Sequence, residues 1–208
     1  MNTYALIGKS LQHSLSKKYF SDKFKKNSIK NYEYINIELD KIHLIKDAIN
    51  TNSLSGFNVT SPYKQAIIPY LKEISKSAES INAVNTVKVI NKEMYGYNTD
   101  VIGFEKSISP LIKNRNRALI LGSGGSSKSV QYTLNKLNMK FKVVSRGSLM
   151  DYSDLSKEII EKNEIIINCT PVGTYPNHNE YPPIPYKYLN PKHLLFDLVY
   201  NPSQTKFL

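Results

Sequence analysis

The sequence holds one cysteine, Cys169, in 208 residues. A single thiol excludes an internal disulfide, which fits a reducing compartment and predicts a cytoplasmic protein. No stretch approaches the roughly 20 consecutive apolar residues of a membrane-spanning helix, so no membrane partner is expected. The start, Met1-Asn2-Thr3-Tyr4-Ala5-Leu6-Ile7-Gly8, lacks the basic, apolar and cleavage segments of a secretory signal and reads as a first strand. Metal-ligand spacing is also missing among His43, His178 and His193, and no metal site is predicted. Acidic residues are few, 17 Asp and Glu against 28 Lys and Arg, for a formal net charge of +11. A nucleic-acid site needs a clustered patch or a recognised module. Here the lysines, among them Lys17, Lys25, Lys41, Lys72, Lys113, Lys136 and Lys192, are spread along the chain. The excess is therefore read as a solvated surface with no nucleic-acid partner. No internal repeat or low-complexity tract is present.

What remains is an alternation of strand-length apolar runs with stretches of helical period, the pattern of an α/β protein with mostly parallel sheets. In the first half, Tyr4–Gly8, Tyr32–Ile37, Ser55–Thr60, Val84–Ile90 and Met94–Tyr97 read as strands, and Lys17–Lys26 and Ile42–Asn50 as helices. The last two strands, joined by Asn91-Lys92-Glu93, predict a hairpin and hence a mixed sheet. A linking helix over Phe104–Ile112 leads to a second unit: strand Arg117–Leu121, a glycine turn, a helix through Leu137, then strands Phe141–Ser145, Ile165–Asn168 and Leu194–Leu198, with a helix over Leu155–Glu161. Strand, glycine turn, helix, strand is the opening of a Rossmann dinucleotide-binding unit. The expected division is residues 1–103 for an N-terminal mixed, mostly parallel α/β sheet domain and residues 104–208 for a C-terminal Rossmann domain.

The glycine turn, Gly122-Ser123-Gly124-Gly125-Ser126-Ser127, fits G-x-G-x-x-small. The first glycine makes the turn, the second lets backbone approach a pyrophosphate, and the small Ser127 keeps the helix close to its strand. Helix N-terminal amides then face the phosphate charge. Where an NAD-binding chain places a carboxylate, near the end of the second strand, this one reads Val143-Val144-Ser145-Arg146-Gly147-Ser148. Arg146 pairs with a 2′-phosphate through its planar fork, and Ser145 and Ser148 add hydroxyl donors, which predicts NADP (NADPH) as cofactor.

Four segments of the first half carry polar side chains: His13-Ser14-Leu15-Ser16, Asn58-Val59-Thr60-Ser61-Pro62-Tyr63-Lys64, Ala83-Val84-Asn85-Thr86 and Gly96-Tyr97-Asn98-Thr99-Asp100-Val101-Ile102-Gly103-Phe104. Followed in order by the glycine turn, Ile167-Asn168-Cys169-Thr170-Pro171-Val172-Gly173 and Asp197-Leu198-Val199-Tyr200-Asn201-Pro202, they resemble the shikimate dehydrogenase family over essentially the whole chain. The resemblance implies NADPH-dependent, reversible reduction of 3-dehydroshikimate to shikimate in aromatic amino-acid (chorismate) biosynthesis. It implies Lys64 and Asp100 as the catalytic pair, Ser14 and Ser16 as ligands of the substrate carboxylate, and Thr60, Asn85 and Asp100 as ligands of the ring hydroxyls. Tyr200 matches a tyrosine of the cofactor half that closes over the substrate. Thr170 and Leu198 match positions lining the nicotinamide side, joining Gly122, Ser123, Gly124, Gly125, Ser126, Ser145 and Arg146 as cofactor-binding candidates. A ketone reduction needs a proton donor within hydrogen-bond reach of the developing alkoxide; a protonated Lys64 suits that chemistry with Asp100 orienting it, and the sequence leaves open which of the two passes the proton. In this family the position of His13 supports the adjoining loop, and Cys169, just after a strand, reads as a small packed residue.

The sequence departs from the family pattern in two places. The first loop, Gly8-Lys9-Ser10-Leu11-Gln12-His13, lacks the proline that family members commonly have soon after the glycine, and Lys17 replaces a common proline after the second serine. Family members also continue past the Tyr200–Leu208 segment with a glycine-containing turn and helices, so this chain is read as a shortened form that leaves part of the first sheet uncovered. Three alternatives stay open: a relative that oxidises quinate with NAD, a reductase for an amino-substituted ring, and a binding-only form without turnover. The assembly is expected to be a monomer or a homodimer.

Overall fold

The computed structural model describes residues 1–12 and 14–208; His13 lies outside the described residues. The chain forms two compact units, Met1–Thr99 and Asp100–Leu208.

The first unit contains strands β1 (Asn2–Gly8), β2 (Tyr32–Glu38), β3 (Leu54–Val59), β4 (Glu73–Ile74), β5 (Thr86–Ile90) and β6 (Glu93–Tyr97), with helices α1 (Ser16–Lys26), α2 (Ile45–Asn52), α3 (Tyr63–Ala66) and α4 (Lys76–Ile81). The sheet order is β2-β1-β3-β5-β6-β4. β1 runs parallel to β2 and β3, β5 runs antiparallel to β3 and β6, and β4 runs parallel to β6. The mixed, mostly parallel sheet and its hairpin are as the sequence predicts. β1 is buried on both faces through Ala5, Leu6 and Ile7, as expected of a central parallel strand. Ala5, Ile7, Phe57, Val59, Val84 and Val87 form one face, covered by Ile45 and Ile49 of α2, Tyr63 of α3 and Ala78 of α4. On the other face the buried cluster is small, Leu6, Leu11 and Tyr34, packed by Tyr4 and by Phe20 and Phe24 of α1. Beside it lies an open groove of about 560 Å³ whose walls include Tyr4, Phe24, Tyr32 and Phe57.

The second unit contains helix α5 (Asp100–Ile112), then β7 (Arg117–Leu121), α6 (Gly125–Lys136), β8 (Lys140–Val144), α7 (Lys157–Lys162), β9 (Ile165–Asn168) and β10 (Leu194–Asp197). Its four strands are all parallel, in the order β10-β9-β7-β8. Alternation along β7 sends Ala118 and Ile120 to the face covered by α5 and α6, and Leu119 and Leu121 to the face packed by Leu155, Ile160, Ile184 and Phe207. The sheet order and the strand–turn–helix opening are those of a Rossmann unit.

Several boundaries differ from the sequence reading. The helix expected over Ile42–Asn50 is a 3₁₀ turn, Ile42–Leu44, running into α2, and the one expected over Leu155–Glu161 is a 3₁₀ turn, Tyr152–Asp154, followed by α7. Ser156 caps α7 by accepting the Ile159 N–H, which ends any continuous helix from Leu155. The linking helix begins four residues before Phe104, at Asp100, whose carboxylate suits the positive end of the helix. Strand β4, two residues long, carries too little pattern to be read.

Candidate functional site

In the first unit, register brings the candidates to one edge of the sheet. Asn58 pairs with Thr86 and Thr86 with Tyr97, so the end of β3, the start of β5 and the end of β6 lie together. Thr60 and Asn85 stand at that edge, and Thr99 follows β6. Val59 N–H donates to the Asn85 carbonyl and Thr60 N–H to that of Ile7, both at 2.9 Å, which ties the loop after β3 to β1 and β5. Lys64, in α3, accepts the Val84 N–H on its carbonyl at 2.7 Å, which holds the catalytic candidate beside the segment that runs through Asn85 into β5. Asn85 is buried; Thr60 and Lys64 are half-buried. The Asn85 Oδ1 accepts the Thr99 N–H at 2.9 Å. Asp100 is the next residue and the first of α5.

Ser14 lies between β1 and α1, and Ser16 is the first residue of α1. The Ser14 N–H donates to the Leu11 carbonyl at 3.0 Å and the Ser16 N–H to Ser14 Oγ at 3.2 Å. Glu38, at the end of β2, accepts the Leu11 N–H at 2.6 Å. Gly8 is required where the loop leaves β1, because a Cβ there would meet Thr60 Cγ2 at 2.6 Å and Leu11 Cδ2 at 2.7 Å.

In the second unit the turn after β7 opens a cavity of about 740 Å³ lined by Gly122, Ser123, Gly124, Ser145, Arg146 and Thr170, with Tyr152, Cys169, Pro171, Val172, Glu180, Tyr181 and Pro183. Gly122 has φ +102°, and a Cβ on it would press within 2.9 Å of Thr170 Cγ2. Gly124 carries an extended backbone at the start of α6, and a Cβ added there would meet nothing within 4 Å. No side chain caps α6 and its first turn holds no carboxylate, so this helix end suits an anion. Ser127 is fully buried against the sheet, as the close helix packing requires. Gly125 and Ser126 form the first turn of α6, while Leu198 packs with the core cluster on the α5 and α6 side. Tyr200 is exposed beyond β10.

Arg146 lies on an ordered loop. The Ser145 N–H donates to the Met150 carbonyl at 3.1 Å, and the Ser148 hydroxyl is 2.8 Å from the carbonyls of Ser145 and Met150. Asp151 accepts the N–H of Gly147 at 2.8 Å and that of Tyr152. Those two N–H groups, and Arg146 more weakly, hold the Asp151 carboxyl below the usual carboxylate range. Burial raises the Tyr152 phenol, and burial with the neighbouring Asp197 carboxylate raises the Cys169 thiol. Cys169 is thus a neutral wall of the cavity and no nucleophile.

Glu38, Tyr152 and Tyr181 take part in these sites without a sequence signal. Asn168 and Asp197 lie inside motifs that the sequence does show, yet their pairing needs the β9–β10 contact. The residues present fit a dinucleotide with a 2′-phosphate: open space over Gly124, bare helix amides, and Ser145 and Arg146 in place of a carboxylate directly after β8.

The family described as the shikimate dehydrogenase substrate binding domain matches residues 6–87. A shikimate dehydrogenase (NADP(+)) of Clostridium botulinum (strain 657 / Type Ba4) is 38% identical over 225 residues, covering 100% of this chain and 86% of the relative. Among solved structures, shikimate dehydrogenase 1 of Peptoclostridium difficile superposes with a TM-score of 0.87 at 36% identity, covering 100% of this chain and 80% of that one. The shikimate dehydrogenase of Aquifex aeolicus gives 0.88 at 32% identity, with 100% and 82% covered.

Proposed function

The chain belongs to the shikimate dehydrogenase family, and from that premise we propose that it catalyses the reversible, NADPH-dependent reduction of 3-dehydroshikimate to shikimate in aromatic amino-acid (chorismate) biosynthesis. The observation that carries the reading is a match of 38% identity over the whole chain to an enzyme of that name. The cavity at the β7 turn supports the cofactor, since its lining joins glycine backbone to Arg146. We assign the substrate to residues 1–103 and NADP to residues 104–208.

Bound NADPH supplies a hydride to the ring carbonyl carbon. The protein must then manage the oxygen. Protonated Lys64 stabilises the negative charge that develops there and delivers the proton, which is catalysis by an interaction strongest in the transition state. Asp100, an acceptor when ionised, takes a ring hydroxyl, as Thr60 and Asn85 take others. Ser14 accepts the Ser16 N–H on its oxygen, so its own O–H remains a donor suited to the substrate carboxylate. Tyr200 is assigned to the substrate from the second unit. Gly122, Ser123, Gly124, Gly125 and Ser126 would hold the pyrophosphate on backbone amides, Ser145 and Arg146 the 2′-phosphate, and Thr170 and Leu198 the nicotinamide side.

No described helix is long and apolar enough to cross a membrane. We assign the protein to the cytoplasm from its single cysteine, in keeping with a biosynthetic reductase.

The test is turnover of 3-dehydroshikimate followed by loss of NADPH absorbance, for the chain and for Lys64→Ala, with NADH in parallel. Turnover with NADPH that collapses in the variant is expected. Binding of NADP and shikimate with no turnover would favour a binding-only protein, and preference for NADH and quinate would replace the reading by the quinate one.

A further inference from the structure

We propose that Tyr34, a residue of β2 outside every motif of the family resemblance, is a positioning residue for the substrate, acting through Asn58 and Thr86 on the amide of Asn85. The inference rests on the substrate reading given above.

A chain of hydrogen bonds crosses three strands. The Tyr34 hydroxyl donates to Asn58 Oδ1 at 2.8 Å. Asn58 Nδ2 donates to Thr86 Oγ1 at 3.1 Å and to the Asn85 carbonyl at 3.3 Å. Thr86 Oγ1 donates to Asn85 Oδ1 at 3.0 Å. The two ends of the chain have a fixed polarity. A backbone carbonyl only accepts, so the Asn85 carbonyl fixes which end of the Asn58 amide is Nδ2. A backbone N–H only donates, so Thr99 N–H, 2.9 Å from Asn85 Oδ1, fixes the Asn85 amide in the same way. Between these two fixed ends Thr86 accepts from Asn58 and keeps its own proton for Asn85 Oδ1, at 3.0 Å, or for the Thr99 hydroxyl, at 3.2 Å. Tyr34 donates to Asn58 Oδ1 and so completes the chain.

The consequence is chemical. Asn85 Oδ1 accepts the Thr99 N–H and faces the Thr86 and Thr99 hydroxyls, so a ring hydroxyl meets this amide at Nδ2, which also donates to Thr99 Oγ1 at 3.1 Å. Loss of the Tyr34 hydroxyl leaves Asn58 Oδ1 short of a protein donor in the half-buried wall of the open groove. The Thr86 hydroxyl is then the nearest replacement, and turning it toward Asn58 takes it from Asn85.

Tyr34 is well built for such a part. It is 4% exposed, and its ring stacks on Phe20 with centroids 4.4 Å apart and planes 15° off parallel. Burial raises its phenol, so the group stays a neutral donor throughout the working pH range. The stack does not involve the hydroxyl, so Phe at this position keeps the ring and removes only the bond.

The experiment compares the full chain with Tyr34→Phe, Thr86→Val and the double variant, by calorimetric binding of shikimate and by steady-state kinetics. Tyr34→Phe is expected to weaken shikimate binding and raise the KM for 3-dehydroshikimate by about five-fold, one hydrogen bond's worth, with the KM for NADPH unchanged. Thr86→Val is expected to do the same or more, and the double variant no more than Thr86→Val alone, because both cut one chain. Equal loss for substrate and NADPH, a fall in melting temperature with unchanged shikimate affinity, or effects that multiply in the double variant would each overturn the positioning role. A wild-type chain that binds no shikimate would instead overturn the substrate reading on which the inference rests.

Discussion

Asn168 at the end of β9 donates from Nδ2 to Asp197 Oδ1 at the end of β10, at 3.0 Å. The pair governs both loops that leave these strands. Asn168 is fully buried, and its Oδ1 accepts the N–H of Thr170 at 3.0 Å and the Thr170 hydroxyl at 2.6 Å. Asp197 accepts the Val199 N–H at 2.9 Å and the Thr205 hydroxyl at 2.6 Å. Thr170 on one loop and the segment leading to Tyr200 on the other are therefore set by a single part-buried contact.

Removing it should be felt in stability and in cofactor binding together. Asn168→Ala strips Thr170 of its acceptor and Asp197 of a donor, and the expected cost is about 2–3 kcal/mol of unfolding free energy. Urea denaturation measures it. The KM for NADPH should rise with it, and a variant as stable as the parent would show that the contact carries no energy.

Arg146 decides between the two nicotinamide cofactors if the 2′-phosphate reading is right. A charge-assisted hydrogen bond contributes about 1.5–3 kcal/mol, so Arg146→Ala should raise the KM for NADPH by about ten- to a hundred-fold. The KM for NADH should not move. An equal rise for both cofactors would place Arg146 on the adenine or in loop structure and not on the phosphate.

Much of this architecture was legible in the chain, and what was not has a common cause. The buried runs Ala5-Leu6-Ile7, Leu119-Ile120-Leu121 and Ile165-Ile166-Ile167 announce central strands by unbroken apolar character, and the glycine turn marks the cofactor half because its residues are contiguous. Glu38 reaches Leu11 across 27 residues, Tyr34 reaches Asn58 across 24, and Asn168 reaches Asp197 across 29. Such pairs exist only once strand order and register are set, and neither is written in local pattern. Tyr152 joins the cofactor cavity from a 3₁₀ turn where helical period pointed to a later helix. The candidates that were read sit in short motifs, and for the substrate half it is the resemblance those motifs carry that names them.

Glu38 offers a test of the loop that presents Ser14 and Ser16. Its carboxylate accepts the Leu11 N–H, and the Ser14 N–H in turn rests on the Leu11 carbonyl. Glu38→Ala should raise the KM for 3-dehydroshikimate by about ten-fold, as expected when a charged hydrogen bond is lost, with NADPH unaffected. Glu38→Gln keeps an acceptor and should recover most of the affinity. If Gln behaves as Ala, the charge and not the bond matters.

Cys169 lines the cofactor cavity, yet its thiol is raised by burial and by Asp197. The thiolate is the reactive form, so native protein at pH 8 should label slowly with a thiol reagent, and unfolded protein in urea fast. Bound NADP should leave the slow rate little changed. Fast labelling of the native chain would mean that the cavity wall opens.

The loop carrying Arg146 should loosen in acid, and the sign follows from Asp151. Its folded carboxyl is held below the ordinary range by the N–H groups of Gly147 and Tyr152. A depressed carboxylate contributes stability that is present above its unfolded value and lost as pH falls through its folded one. The window therefore lies in acid, below the usual titration of aspartate. There the Gly147 amide should lose its acceptor, move in its NMR position and exchange faster with solvent, while amides of β7 stay protected. Asp151→Asn should reproduce much of that change at neutral pH, since the amide loses the charge that both N–H groups face. A Gly147 amide indifferent to acid and to the substitution would show that the loop is held by the Ser145 and Met150 contacts alone.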